Sequence, residues 1–570
     1  MDYPGRKLTL LSVFVPVVLS AQPADLILAG ARVWTGDTTQ PRAEAVAIHR
    51  ERILAVGARS VVMRHAGPRT RVLELRERFV APGFIDNHTH FQQAGALILG
   101  VNLLDVANAS ALVRRVREAR DRLPADTWLT GGDWGAYEAW AQSSAGRDTT
   151  RPRVEPSFDP DRSLVDSITP DTPVLLSRWD RSAYLANQRA LSLAKATCDW
   201  PGVECAGGSP TGRLTPAAAE RIRATIPPKP MQQRLAEARA ALAQLRDQGV
   251  TTIHDNTPAE QLHVFQELRR RGELTVRVYA RPTLDKWDEL RTLGIRHGFG
   301  DEWIRIGGLK GFVDGIMGNS TARFYEPYRT TGEVGAWRTM ITDPPGMEAL
   351  LLGADSSGHW PQVHAIGDRA IDTLLTMYER VMTMNGARDR RFRVIHAQVL
   401  RDASVAQRMA RLGVIAEVQP YHAIDDMRWM EERIGSRARW AYAFATLQRA
   451  GVRLSFGSDW PGTNASWYPA SPVLGIYAAV TRQTLGGEPA GGWFPEERVD
   501  LETALRAYTV NNAWAAGEES LKGRIAPGLL ADLVVLDRDP FSVPPAELKN
   551  LTVIHTIVSG RLMHGSVRSQ

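Results

Sequence analysis

Two hydrophobic patterns alternate through most of the chain. Strand-length apolar runs recur at Thr251–His254, Val276–Tyr279, Ile304–Lys310, Pro361–His364, Phe392–His396, Val414–Gln419 and Val452–Asp459. Between them lie stretches with helical spacing, such as Gln232–Gln248 and Ala370–Met384. Apolar strands alternating with helices predict a parallel sheet covered on both faces, and their number suits closure into a barrel. The two ends read differently. Ala24–Leu75 and Ala531–Leu562 are made of short β-like runs separated by turns. The stretch from about Ala109 to Pro230 is less regular and rich in Pro, Gly, Trp and Arg, which predicts barrel elements plus an insertion covering the active-site mouth.

Composition narrows the class. The 570 residues are 44% hydrophobic and 23% charged, which excludes a disordered or collagen-like chain. The net charge of +6 is spread thinly with no long run of one sign, so no nucleic-acid groove is expected. Arginine supplies nearly all the positive charge, and only seven lysines occur, so a lysine inside an apolar run is informative. At the start, Arg6 and Lys7 precede an apolar Leu8–Leu19 and small Ser20-Ala21, which reads as an export signal over 1–21. The expected location is therefore periplasmic or secreted, and cytoplasmic if the segment is not a cleaved signal. No later apolar run reaches the ~18 residues a span needs, so no stable membrane insertion is expected after its removal. Two cysteines, Cys198 and Cys205, could staple one small loop in an exported protein or remain free thiols.

The chemistry gathers at strand ends. His88 and His90, in Pro82-Gly-Phe-Ile-Asp-Asn-His-Thr-His90, are two apart on a strand and point the same way. His364, His396 and Asp459 each follow a β-branched or aromatic run and precede a small-residue turn. In a (β/α) barrel the C-terminal strand ends form one rim where active sites lie. Imidazoles and a carboxylate converging there suit Zn²⁺, as one or two ions, or another divalent metal. His254 also ends a strand and is expected near the rim, either adjacent to the ligands or facing substrate. His49, His65, His263, His297, His555 and His564 lack this context.

These motifs, with His364-Ala-Ile-Gly-Asp-Arg-Ala, His396-Ala-Gln, Gly457-Ser-Asp-Trp-Pro and the closing Gly523–Pro540, resemble the amidohydrolase superfamily. Within it they are similar to the amidohydrolase 3 group, that of the YtcJ-like proteins and N-substituted formamide deformylase. The resemblance runs from about Ala24 to Met563 and implies an α/β fold. It implies a distorted (β/α)₈ TIM-type barrel over 82–511, with an insertion within about 109–230, and a composite β-sandwich from 22–81 and 512–570.

It further implies a metal-dependent hydrolase of a small-molecule C–N bond, amide or formamide, with Asp459 as metal ligand and proton shuttle. A bridging ligand is expected at Lys310, carboxylated on its Nζ; the alternative is a lysine paired with Asp314, itself a fallback ligand or substrate contact. One ion would take His88, His90 and Lys310, and a second Lys310, His364 and His396. The segment Gln419-Pro-Tyr-His422 resembles one bordering the pocket, which makes His422 a candidate to polarise the carbonyl and Gln419 a substrate contact. Trp134, Tyr137, Trp140, Trp429 and Trp460 are candidates for an aromatic wall. Gly318-Asn-Ser-Thr-Ala322 stands where the group often has Gly-Ser-Arg-Thr-Ala, so the contact of that arginine is not expected here. Hydrolysis of a cyclic amide, carbamate or ester, deamination, and a non-catalytic binding role are the rival readings. A homodimer is compatible with the sequence.

Overall fold

The computed structural model describes residues 23–103, 106, 108–123, 127–135, 159–178, 181–462 and 470–565. The expected leader, Tyr137 and Trp140 lie outside them.

The centre is a parallel barrel. Its strands are β1 (Phe84–Thr89), β2 (Val250–Asn256), β3 (Arg277–Arg281), β4 (in two pieces, Ile304–Ile306 and Leu309–Phe312), β5 (Pro361–Ala365), β6 (Arg393–His396), β7 (Ile415–Val418) and β8 (Leu454–Phe456). Neighbours pair in parallel from β1 through the first piece of β4, and again from its second piece through β8. Single bridges, Thr283 to Lys310 and Thr89 to Trp460, close the two gaps into one ring. The break in β4 falls at Gly307-Gly308, where a Cβ would strike the Tyr279 ring and the Gln362 amide respectively. Those two side chains project into the barrel interior, so only glycine lets the strand pass.

Strands buried on both faces explain why these runs lack a polar face: β1, β3, β5, β6, β7 and β8 are buried at every position. Helices such as Met231–Asp247 and Asp368–Asn385 cover the outside and agree with the helical spacing of the sequence.

The irregular stretch is a separate layer. Its five strands run in the order Val203–Ala206, Ser209–Leu214, Tyr184–Ala186, Val174–Arg178, Leu129–Trp134. None of them joins the barrel, so the expectation of barrel elements in this stretch is corrected. Both edges of β1 are taken by β2 and the residues after β8, and a closed barrel offers no vacant edge. Cys198 and Cys205 are disulfide-bonded within this insertion.

The chain ends meet in two further sheets. One has four strands, Arg52–Gly57, Ala45–His49, Leu26–Ala29 and Arg71–Glu74. The other has six, in the order Arg561–His564, Val553–Val558, Leu533–Leu536, Phe79–Pro82, Arg32–Trp34, Arg42–Ala43. Leu28, Val46 and Ile53 from the first share a core with Val33, Val80, Leu533, Val535 and Ile557 from the second. Phe79–Pro82 pairs antiparallel with Leu533–Leu536 and leads through Gly83 into β1. Buried Arg277 on β3 makes a two-pronged contact with Asp532, Nε to Oδ2 at 2.6 Å and Nη2 to Oδ1 at 3.0 Å. No helix among the described residues is long and apolar enough to cross a membrane.

Candidate metal centre

The rim at the C-terminal ends of the strands gathers His88, His90, His364, His396 and Asp459. Asp459 follows β8 with φ +58° and His396 ends β6 with φ +74°, a left-handed backbone that non-glycine residues seldom adopt outside sites that require it. The turn carrying Asp459 is pinned to β1. Asp459 N donates to His88 O (2.8 Å) and His90 N donates to Trp460 O (2.8 Å). Buried Asp86 ties the same elements by accepting from Ser458 Oγ (2.6 Å), Ser458 N (2.9 Å) and His88 N (3.1 Å). Burial raises its carboxyl to about 6 against the pull of those hydrogen bonds.

Two ligand groups share Asp459. In the first, Asp459 Oδ1 is 3.0 Å from His90 Nε2 and 3.4 Å from His88 Nε2. In the second, ligand atoms of His396, His422 and Asp459 all lie within 4.8 Å of one another. Donor atoms bonded at ~2.1 Å around one ion stand ~3.0–3.4 Å apart, so the first group has the spacing of a coordination shell. His364 is beside the second, its ring 4.7 Å from that of His396.

The far nitrogen of each of three imidazoles meets an oxygen. His88 Nδ1 is 2.8 Å from Glu417 Oε1, His396 Nδ1 is 2.7 Å from Gln419 Oε1, and His364 Nε2 is 2.8 Å from the Gly315 carbonyl. A carboxylate or carbonyl oxygen only accepts, so the proton sits on that nitrogen and the opposite nitrogen presents a lone pair. Metal-binding histidines carry this outer bond almost without exception. Burial, aided by Lys310 for His88 and by His364 for His396, pushes both imidazoles well below their ordinary value and keeps them neutral.

Lys310 is 2% exposed, and among the described residues its Nζ has no hydrogen bond or carboxylate partner; it stands 4.8 Å over the Phe312 ring. Burial first, then the nearby Arg281, push the amine down to about 7. Asp314 is not its counter-ion. The Asp314 oxygens accept from the backbone amides of Arg323 (2.8 Å), Gly367 (2.9 Å) and Ile366 (3.1 Å), which fastens the turn after β5.

His254 is fully buried. Its Nδ1 accepts from Arg393 Nη1 at 3.0 Å and its ring packs 4.6 Å from Tyr279. The three described tryptophans of the expected wall are not brought together. Trp134 lies in the insertion's core, Trp460 packs with Phe91 and Phe265, and Trp429 rests on the main barrel core with Arg433 over its ring at 4.3 Å.

The sequence expectations omitted Glu417, Arg281, Arg393 and Asn256. Glu417 is wholly buried, with Oε1 accepting from Arg281 Nη1 and Oε2 from Arg393 Nη1, each at 2.7 Å. Burial alone would raise this carboxyl, and the two guanidinium groups instead hold it at about 2. The available signal was a charged residue inside an apolar strand, two before Gln419 and therefore on the same face. Asn256, two beyond His254, was legible in the same way.

A model of the amidohydrolase family matches residues 71–564, and the chain belongs to that family. It is an amidohydrolase enzyme by class. Over 561 residues it is 31% identical to the protein LONG AFTER FAR-RED 3 of Arabidopsis thaliana, covering 95% of this chain and 92% of the relative. It is 27% identical to the N-substituted formamide deformylase of Arthrobacter pascens, covering 95% and 99%. Among solved structures, an uncharacterized metal-dependent hydrolase from Pyrococcus furiosus superposes with a TM-score of 0.71 at 27% identity, covering 91% of this chain and all of that one.

Proposed function

We propose that this amidohydrolase cleaves a C–N bond of the amide or formamide type with one or two divalent ions, Zn²⁺ first among them, held by its rim. The observation that carries the reading is the set of three imidazoles, each meeting an outer oxygen through its far nitrogen, beside Asp459. His88, His90 and Asp459 would hold one ion, and His364, His396 and Lys310 a second. The Lys310 amine, once deprotonated, would add to CO₂ with loss of a proton, leaving an anionic carbamate as an oxygen ligand for that second ion. Its depressed basicity and lack of an anionic partner support this. When bound, such an ion supplies Lewis acidity that brings the pKa of its water towards ~7 and polarises a carbonyl.

The chain's own groups do the rest. The Asp459 carboxylate takes the proton of the attacking water and gives it to the leaving nitrogen, as base and then acid. His422, within reach of Asp459 and His396, donates towards the carbonyl oxygen. The formamide deformylase relative, matched along nearly its whole length, supports formamides as the first substrates to try. The Cys198–Cys205 bond fits an oxidising compartment and supports export.

The test is metal analysis of the purified protein together with turnover of N-formyl amines, N-acyl amines, cyclic imides and lactones. Bound divalent metal with N-formyl or N-acyl amines as the best substrates is expected. Preference for lactones would overturn the C–N hydrolase reading, preference for cyclic imides would overturn the open-chain amide or formamide type, and metal-free protein with full turnover would overturn the metal.

A further inference from the structure

The end of β2 carries a group at the first ligand cluster to which no role has been given. Asn256 Nδ2 lies 3.2 Å from His88 Nε2 and 3.3 Å from His90 Nε2. Asn256 Oδ1 is buried with no hydrogen-bond partner among the described residues. This orientation is electrostatically inverted. Glu417 keeps the His88 proton on Nδ1, so His88 Nε2 presents a lone pair. An amide NH₂ beside it gives its protons to electrons that a cation would claim, while its own oxygen is left unsatisfied.

Oxygen and nitrogen of a side-chain amide exchange places by a half-turn, and their assignment follows from the surroundings. After that half-turn Oδ1 takes the place of Nδ2. Its distances to His88 Nε2 and His90 Nε2, 3.2 and 3.3 Å, then fall in the same range as those from Asp459 Oδ1, 3.4 and 3.0 Å. All are the separations expected of atoms sharing one ion at ~2.1 Å.

We propose that Asn256 is a ligand, through Oδ1, of the ion held by His88, His90 and Asp459. The proposal rests on the reading of this cluster as a metal centre. An amide oxygen adds a donor without adding charge, and a shell with two oxygens and two imidazoles is less selective for Zn²⁺ over Co²⁺ or Mn²⁺ than one of imidazoles alone.

The test compares the full-length wild type with Asn256→Leu and Asn256→Asp. Zn²⁺ affinity is measured by chelator competition, and the first shell of the Co²⁺-loaded protein by X-ray absorption. Asn256→Leu is expected to lose one oxygen scatterer and to bind Zn²⁺ ~10–100-fold more weakly. Asn256→Asp is expected to keep the shell and bind at least as tightly as the wild type. A Leu variant with unchanged shell and affinity would overturn the proposal. Should that variant not fold, weaker binding by Asn256→Asp would overturn it instead. If the wild type itself takes up neither ion, the metal reading beneath the proposal fails, a result distinct from failure of Asn256 alone.

Discussion

His88 Nδ1 and Glu417 Oε1 are 2.8 Å apart in the closed interior of the barrel, and Glu417 is the anion on which two guanidinium groups converge. One carboxylate therefore orients an imidazole at the rim and neutralises charge deeper in the barrel. Glu417→Gln should weaken Zn²⁺ binding ~10–100-fold, since the outer partner of a ligand histidine is lost as an anion. It should also cost ~3–5 kcal/mol of stability, because Arg281 and Arg393 are left as uncompensated buried charges. Chelator competition and denaturant melts check the two effects separately. Wild-type metal affinity in a folded Gln variant would show that Glu417 serves the arginines alone.

Asp459→Asn keeps a neutral oxygen near His88 and His90 but removes the group that accepts a proton. Turnover of the best amide substrate should fall by ~10²–10⁴-fold. Metal content measured on the same preparation should stay close to wild type, and full activity would remove the proton-shuttle role.

Lys310 should carry CO₂. Protein equilibrated with ¹³C-bicarbonate is expected to show one slowly exchanging carbamate carbon by NMR, lost in Lys310→Ala together with part of the bound metal. No such signal in active, metal-loaded enzyme would leave Lys310 a plain buried amine.

The Arg277–Asp532 contact predicts a pH dependence. Burial would raise the Asp532 carboxyl, but Arg277 outweighs it and holds the group below the usual range. An aspartate whose folded value is depressed contributes stability that is fully present above its unfolded value of ~3.9. That contribution is lost as pH falls from there through the folded value. Asp532→Asn should therefore destabilise the protein at neutral pH and flatten the loss of stability on the acid side. Urea melts across that window give the slope directly, and an unchanged slope would exclude Asp532 as its source.

Reduction of the Cys198–Cys205 bond should loosen the insertion rather than the barrel. By loop-closure entropy a ring this small contributes ~2–3 kcal/mol. Hydrogen exchange in Val203–Leu214 should rise on reduction while β5–β8 stay protected.

Much of the barrel was legible because a parallel strand buried on both faces leaves an unbroken apolar run, as in Phe392–His396, with its chemistry at the end. His88, His90, His364, His396 and Asp459 stood out for that reason. Glu417 and Arg393 were visible only as charges inside apolar strands, and what each one pairs with shows only once the other strand is beside it. In the insertion Leu129–Trp134 and Val174–Arg178 pair in parallel, like barrel strands, yet belong to a different sheet, a distinction the sequence does not carry. Asp314 looked like a partner for Lys310 by proximity in sequence, and only the backbone path shows its oxygens filled by amides. Trp134, Trp429 and Trp460 were grouped by type, whereas each of the three packs with a different core.

Phe79–Pro82, pairing with Leu533–Leu536, sets an order of events during synthesis. The strand that aims His88 and His90 emerges early, yet the partner that fixes its approach is among the last residues made. Contacts this distant in sequence form slowly. The approach of the strand bearing His88 and His90 is thus completed only once the C-terminal strands are available.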